Sequence, residues 1–213
     1  MSRPIDGAPR ATQVPRGEMV IAETRAWVNR AVIGLNLCPF AKAVEVKGRV
    51  RYCLSLATRE VSLCEDLITE LKRLAASPPE QFETTLVIHP YLFRRFTEYN
   101  AFLPRAERIL TELRLEGVIQ IASFHPHYQF AGSAADDIAN ATNRSPYPLL
   151  HLLREDSVAR AVAAVPDPGA IFETNIETMR RLGARAWSGL RRQCREDARS
   201  AAGCEPAPPA QGR

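Results

Sequence analysis

From Phe124 to Glu155 the chain reads FHPHYQFAGSAADDIANATNRSPYPLLHLLRE, and three of its four histidines, His125, His127 and His151, fall there. Asp136, Asp137, Asn140, Asn143, Arg144 and Ser145 share the stretch. His125 and His127 stand two apart, a spacing that turns both rings to one side of an extended chain. Paired imidazoles suit a divalent transition metal such as Zn, Fe, Cu or Ni. In that reading His89 supplies a third ligand, and Asp137, Cys38 or His151 a fourth. In the competing reading Pro126 and a turn splay the pair, so that one ring caps a strand end and the other meets solvent.

Two further chemistries are within reach. Cys38 precedes Pro39, and a thiolate beside His89 or His125 would be a nucleophile. Cys38 also follows the C-terminal end of an expected helix, the wrong pole for lowering a thiol pKa. A free cysteine commonly packs as a small hydrophobe instead. Arg144 between Asn143 and Ser145 offers a fork of donors for a carboxylate or phosphate. Alternatively, Asn143 and Ser145 bond their own turn and Arg144 pairs with Asp136 or Asp137. Asp136 is the expected helix cap, which leaves Asp137 as general base or metal ligand. His151, between Leu150 and Leu152 on a strand, is either a substrate contact or a satisfied core histidine. Tyr128 and Tyr147 read as pocket wall.

These residues need a scaffold, and periodicity supplies one. Apolar residues at three- and four-residue spacing predict helices over 17–36, 60–75, 93–115, 156–165 and 171–187. Pro104 falls inside the third, where a break or a fresh first turn is expected. Strands are predicted over 50–56, 84–88, 118–124 and 149–153. Ser133, three residues before Asp136, resembles a capping box and predicts a short helix to about residue 141. The alternation of strand and helix predicts a single α/β domain over 17–190, with a mainly parallel or mixed four-stranded sheet; the alternative is an α+β two-layer sandwich. Residues 1–16 and 191–213 read as disordered tails. If the second and third strands share a direction, His89-Pro90 and His125-Pro126 close them at one edge, where open α/β sheets bind ligands.

Composition narrows the classes. A hydrophobic content of 46% with 24% charged residues is that of an ordinary globular domain. The net charge of +4 comes without a basic, aromatic-interleaved stripe, which argues against nucleic acid. Five cysteines, an odd number without CxxC spacing, argue for a reducing compartment and, with no secretory signal, a cytoplasmic protein. No apolar run reaches membrane-spanning length.

Five segments together resemble a known bacterial family, the domain of unknown function numbered 1415. They are Asn36-Leu37-Cys38-Pro39-Phe40-Ala41, Ile88-His89-Pro90, Phe124-His125-Pro126-His127-Tyr128-Gln129-Phe130, Thr142-Asn143-Arg144-Ser145-Pro146-Tyr147-Pro148 and His151-Leu152-Leu153-Arg154-Glu155. The resemblance spans roughly 17–183 and implies a cytosolic bacterial domain, with no reaction attached. Three readings remain open. One is a small-molecule enzyme, metal-assisted, with His89, His125 and His127 at a crevice and Arg144 holding an anionic group. The second is a metal-free, cysteine-dependent enzyme. The third is a ligand-sensing or adaptor domain whose polar groups bind without catalysis. Oligomeric state is left open.

Overall fold

The structure is a computed structural model that describes residues 17–163 and 167–202. The expected tail 1–16, Cys204 and residues 203–213 lie outside the described residues. Four strands form one sheet: β1 (Val50–Leu54), β2 (Thr84–Ile88), β3 (Ile119–Phe124) and β4 (Leu149–Arg154), in the order β1-β2-β4-β3. β1 and β2 are parallel, whereas β4 runs antiparallel to both β2 and β3. The sheet is therefore mixed, with one parallel pair. β2 and β3 still share a direction, because each opposes the strand between them. His89 and His125 do leave the sheet at one edge, separated by the start of β4.

Both faces are covered by helices. On one face α3 (Glu60–Ala76) and α4 (Phe96–Glu112) bury Leu63, Leu67, Leu71, Tyr99, Phe102 and Ile109 against Val87, Leu150 and Leu152. On the other, α1 (Gly17–Trp27), a π-helical turn (Val28–Ile33) and α6 (Ile171–Ala201) bury Val20, Trp27, Met179 and Trp187 against Leu86, Ile88 and Leu149. Adjacent residues of the inner strands thus serve opposite cores, as the two-residue period of a strand requires. A short α2 (Ala41–Val46) adds Phe40 and Val44 beside Leu153, and α5 (Glu155–Ala163) packs nearby through Val158 and Ala161. Arg154 ties β4 to the far end of α3 by donating to the carbonyls of Leu74, Ser77 and Phe82.

Three expectations are corrected. Pro104 does not break α4, which runs unbroken from Phe96 to Glu112. Pro104 and Asn100 are both exposed, so the Asn100 carbonyl that loses its helical donor is open to water, while the buried stripe holds the helix. Ser133 does not open a helix. Its hydroxyl bonds the Phe130 carbonyl and the Asn140 side chain, and the local helix is a 3₁₀ turn at Ile138–Asn143. Finally, α6 continues to Ala201 rather than fraying near residue 191, because Cys194 and Ala198 are buried and Arg30 pairs with Asp197. The arginine-rich sequence there carries few apolar residues, which hides the stripe.

Gly183 lets α6 change direction, with φ 76° and ψ 161° in the middle of the helix. That conformation belongs almost solely to glycine. Gly183→Ala is expected to lower unfolding free energy by about 1–3 kcal/mol. Urea denaturation checks this, and an unchanged midpoint with unchanged slope would refute it.

Candidate functional site

The histidines of the sheet edge converge, but on a ring rather than on open space. Tyr99 of α4 lies between His89 and His125, with ring centroids 5.7 Å and 5.2 Å away. Its hydroxyl donates to the Leu149 carbonyl at 2.8 Å and accepts the Phe124 amide at 3.1 Å. Both histidines are fully buried. His125 Nε2–H donates to the Phe93 carbonyl at 3.1 Å, and its Nδ1 accepts the His127 amide at 3.0 Å. His89 Nδ1–H donates to the Leu92 carbonyl at 3.3 Å, leaving Nε2 buried without a partner. The two rings thus anchor the 89–95 loop, where Phe93 adopts φ 54° and stacks on Phe102 at 4.8 Å.

The turn at Pro126 leaves His127 exposed, with its ring 5.9 Å from that of His125 and tilted by 52° to it. Both His125 nitrogens are already occupied. Among the described residues no group of three or more His, Cys, Asp or Glu side chains is placed to hold a metal ion. The ligand set expected from His89, His125 and His127, with Asp137, Cys38 or His151, does not assemble. Asp137, not Asp136, caps the 3₁₀ turn by accepting the Ala139 amide at 2.9 Å. It is committed there rather than placed as a base.

Cys38 lies between two helices, not merely after one. The amides of Phe40 and Ala41 bond toward its thiol at the entrance to α2, which favours the thiolate, but burial outweighs them and pushes the pKa up. The residue sharing its surroundings is His151, not His89 or His125. Cys53 and Cys194 are pushed up to about 11, chiefly by burial. The pKa of Cys64 is raised by the same cause.

The loop after the 3₁₀ turn behaves differently. Asn143 donates to the Ser123 carbonyl at 3.2 Å and Ser145 to the Tyr147 carbonyl at 2.6 Å, so both are spent on backbone. Arg144 reaches neither aspartate. Its guanidinium donates to the carbonyls of Tyr128 (3.1 Å) and Ala135 (2.7 Å). Arg191 of α6 comes up beside it, and together with Glu23, Trp27, Ser145, Pro146 and Cys194 they line a small hollow. Among the described residues neither guanidinium has a carboxylate within ion-pairing distance. Burial lowers the pKa of Arg144, and the charge of Arg191 lowers it further. Arg191 is likewise lowered by burial and then by Arg195. Glu23, itself buried, accepts the Tyr147 hydroxyl at 2.7 Å.

Glu23, Arg191 and the hydrogen-bonding role of Tyr147 escaped the sequence reading. One signal was present: Glu23 occupies the apolar stripe of α1, between Val20 and Trp27, where a carboxylate needs a reason. Arg191 gave no such signal, because it lies in the stretch read as a tail.

The family model described as "Protein of unknown function (DUF1415)" matches residues 19–189. The chain belongs to this family. No curated protein and no solved structure matches it. In this DUF1415 chain, the matched span contains both guanidiniums only in part, since Arg144 lies inside it and Arg191 two residues beyond. No helix among the described residues is long and apolar enough to cross a membrane.

The buried histidines set a pH dependence. His89, His125 and His151 are each lowered to about 4, chiefly by burial. Their unfolded value is about 6.5, so between these limits the unfolded chain binds the extra protons. Stability is therefore full above about pH 6.5 and is lost as pH falls toward 4, at up to about 1.4 kcal/mol per pH unit for each histidine. Urea unfolding at a series of pH values reads this directly. A profile that stays flat from pH 7 to 4.5 would count against neutral buried rings.

Proposed function

We propose that this domain recognises a small anionic molecule, with Arg144 and Arg191 as the groups that neutralise it. The carrying observation is the pair of half-buried guanidiniums that face one hollow, neither with a carboxylate at ion-pair distance among the described residues. Desolvating like charges side by side is costly unless an anion joins them. Glu23 lines the same hollow and its charge favours the Arg191 guanidinium, but it lies beyond ion-pair distance and is one carboxylate against two guanidiniums. The hollow encloses only about 10 Å³, room for about one water-sized group, so it takes a single oxygen of an oxyanion while the rest of the ligand lies at the surface. A carboxylate or phosphate meets that description, and the planar fork of arginine matches either.

This is a binding reading. Ser145 and Tyr147 spend their hydroxyl protons on the protein. The backbone carbonyls that hold Arg144 fix the direction of its remaining donors, so little ordering entropy is lost when an anion arrives. An adaptor or sensor needs no more than this, and catalysis would require a reacting group brought in by the ligand or from elsewhere in the chain.

The test is titration calorimetry of the full chain at low ionic strength with sodium phosphate and, separately, sodium succinate, each against sodium chloride at matched ionic strength. Saturable binding of at least one oxyanion is expected. Arg191→Gln keeps the stem of the side chain and should weaken that binding about ten-fold or more, the value of losing one charge-assisted contact. Binding of equal strength in wild type and variant, or no saturable heat with either oxyanion, would overturn the proposal.

A further inference from the structure

Trp27 lines a second hollow besides the arginine one. This hollow encloses about 60 Å³ between α1, the π-helical turn, α2 and the sheet. Its walls are mostly apolar, with Trp27, Phe40, Val44, Leu86 and Phe124 among them. Its polar side chains are Cys38, Thr84 and His151. β4 is an inner strand, and His151 is the residue that interrupts its buried run from Leu149 to Leu153. An inner-strand ring keeps accessible surface when it faces a space inside the protein, and this hollow is the space it lines.

The hydrogen bonds assign the state of that ring. Thr84 Oγ1 has one proton and donates it to the Leu152 carbonyl at 2.7 Å. The 2.6 Å contact between Thr84 Oγ1 and His151 Nε2 must then use a proton on the ring. A neutral imidazole protonated at Nε2 leaves Nδ1 as a bare acceptor. No described residue donates to it. Thr84 thus holds the ring in one tautomer, with Nδ1 lacking a donor among the described residues and the ring lining an apolar space.

We infer that this hollow is a binding site for a short uncharged aliphatic alcohol, or for the hydroxyl-bearing end of a longer aliphatic molecule. The hydroxyl donates to His151 Nδ1, and the chain lies against Trp27, Phe40 and Phe124. The volume equals roughly four or five water-sized positions, which fits a chain of a few heavy atoms. A charged ligand would find no counter-charge among these walls. Besides His151 and Thr84, the side-chain donors among the lining residues are the Trp27 indole N–H and the weak S–H of Cys38, which leaves little for a second strong polar group. The hydroxyl is the one polar group whose need matches the single vacant acceptor. This inference does not depend on the arginine hollow.

Two isomers separate hydrogen bonding from mere filling: butan-1-ol carries the donor and diethyl ether lacks it. Each is titrated into the full-length protein while the ring-nitrogen NMR signals of His151 are followed. In parallel, the rate of Cys38 modification by methyl methanethiosulfonate is read by mass spectrometry. Butan-1-ol is expected to shift the Nδ1 signal, to slow Cys38 modification several-fold and to bind about ten-fold more tightly than the ether. Ala41→Leu, which fills the hollow, should abolish the protection. His151→Phe should bring the two isomers to equal affinity while leaving oxyanion binding at Arg191 intact. Equal affinity of the isomers in the wild-type protein, or an Nδ1 signal that butan-1-ol leaves in place, would overturn the inference. Should either variant fail to fold, the wild-type comparison decides alone.

Discussion

The hydroxyl of Tyr99 is the contact on which the sheet edge depends. Phe124 ends β3, Leu149 begins β4, and the two are paired in register. One oxygen donates to the first carbonyl of β4 and accepts the last amide of β3, so a helix side chain closes the ladder where it would otherwise fray. Inside a core, leaving such a carbonyl or amide unmet costs about 1–3 kcal/mol. The ring of the same residue supplies the surface on which His89 and His125 lie. The 89–95 loop hangs from those two imidazoles, so strand ends, loop and α4 are joined through one side chain.

That arrangement recasts the histidines. Their types and spacing invite a catalytic interpretation, but buried imidazole is also a flat ring with one donor and one acceptor. His125 uses both, on Phe93 and His127. His89 keeps one sealed, unpartnered nitrogen, and the unspent groups that line hollows lie on the opposite face of the sheet. They are the facing guanidiniums of Arg144 and Arg191 and the vacant acceptor of His151. Polar groups already satisfied by protein contribute to order, whereas unsatisfied ones in concave places are available to a ligand.

Much of the fold was legible in the sequence. The four strands fall within one or two residues of their predicted bounds, because β2 (TTLVI) and β4 (LLHLLR) are short, largely apolar runs bounded by proline or charge. A mixed sheet was one of the expected forms and the shared direction of β2 and β3 was anticipated as a condition, whereas the placement of β4 between them was not, since strand order is decided by long-range packing. α2 was missed because six residues carry too little period to read. Within the site, Arg144 was legible from its stiff, polar neighbourhood. Its partner was not, for Arg191 is one arginine among many in a hydrophilic segment, placed only by the bend at Gly183 and the burial of Trp187 and Cys194. The exchange of roles between Asp136 and Asp137 turned on a single residue of helix phase, which spacing alone does not resolve.

Trp27 forms part of the wall of both hollows and packs edge-on against Phe124 at 5.5 Å. A residue that lines two chambers transmits any shift it makes to both of them. An occupant of one chamber that moved Trp27 would thereby alter the affinity of the other, with no contact between the two occupants.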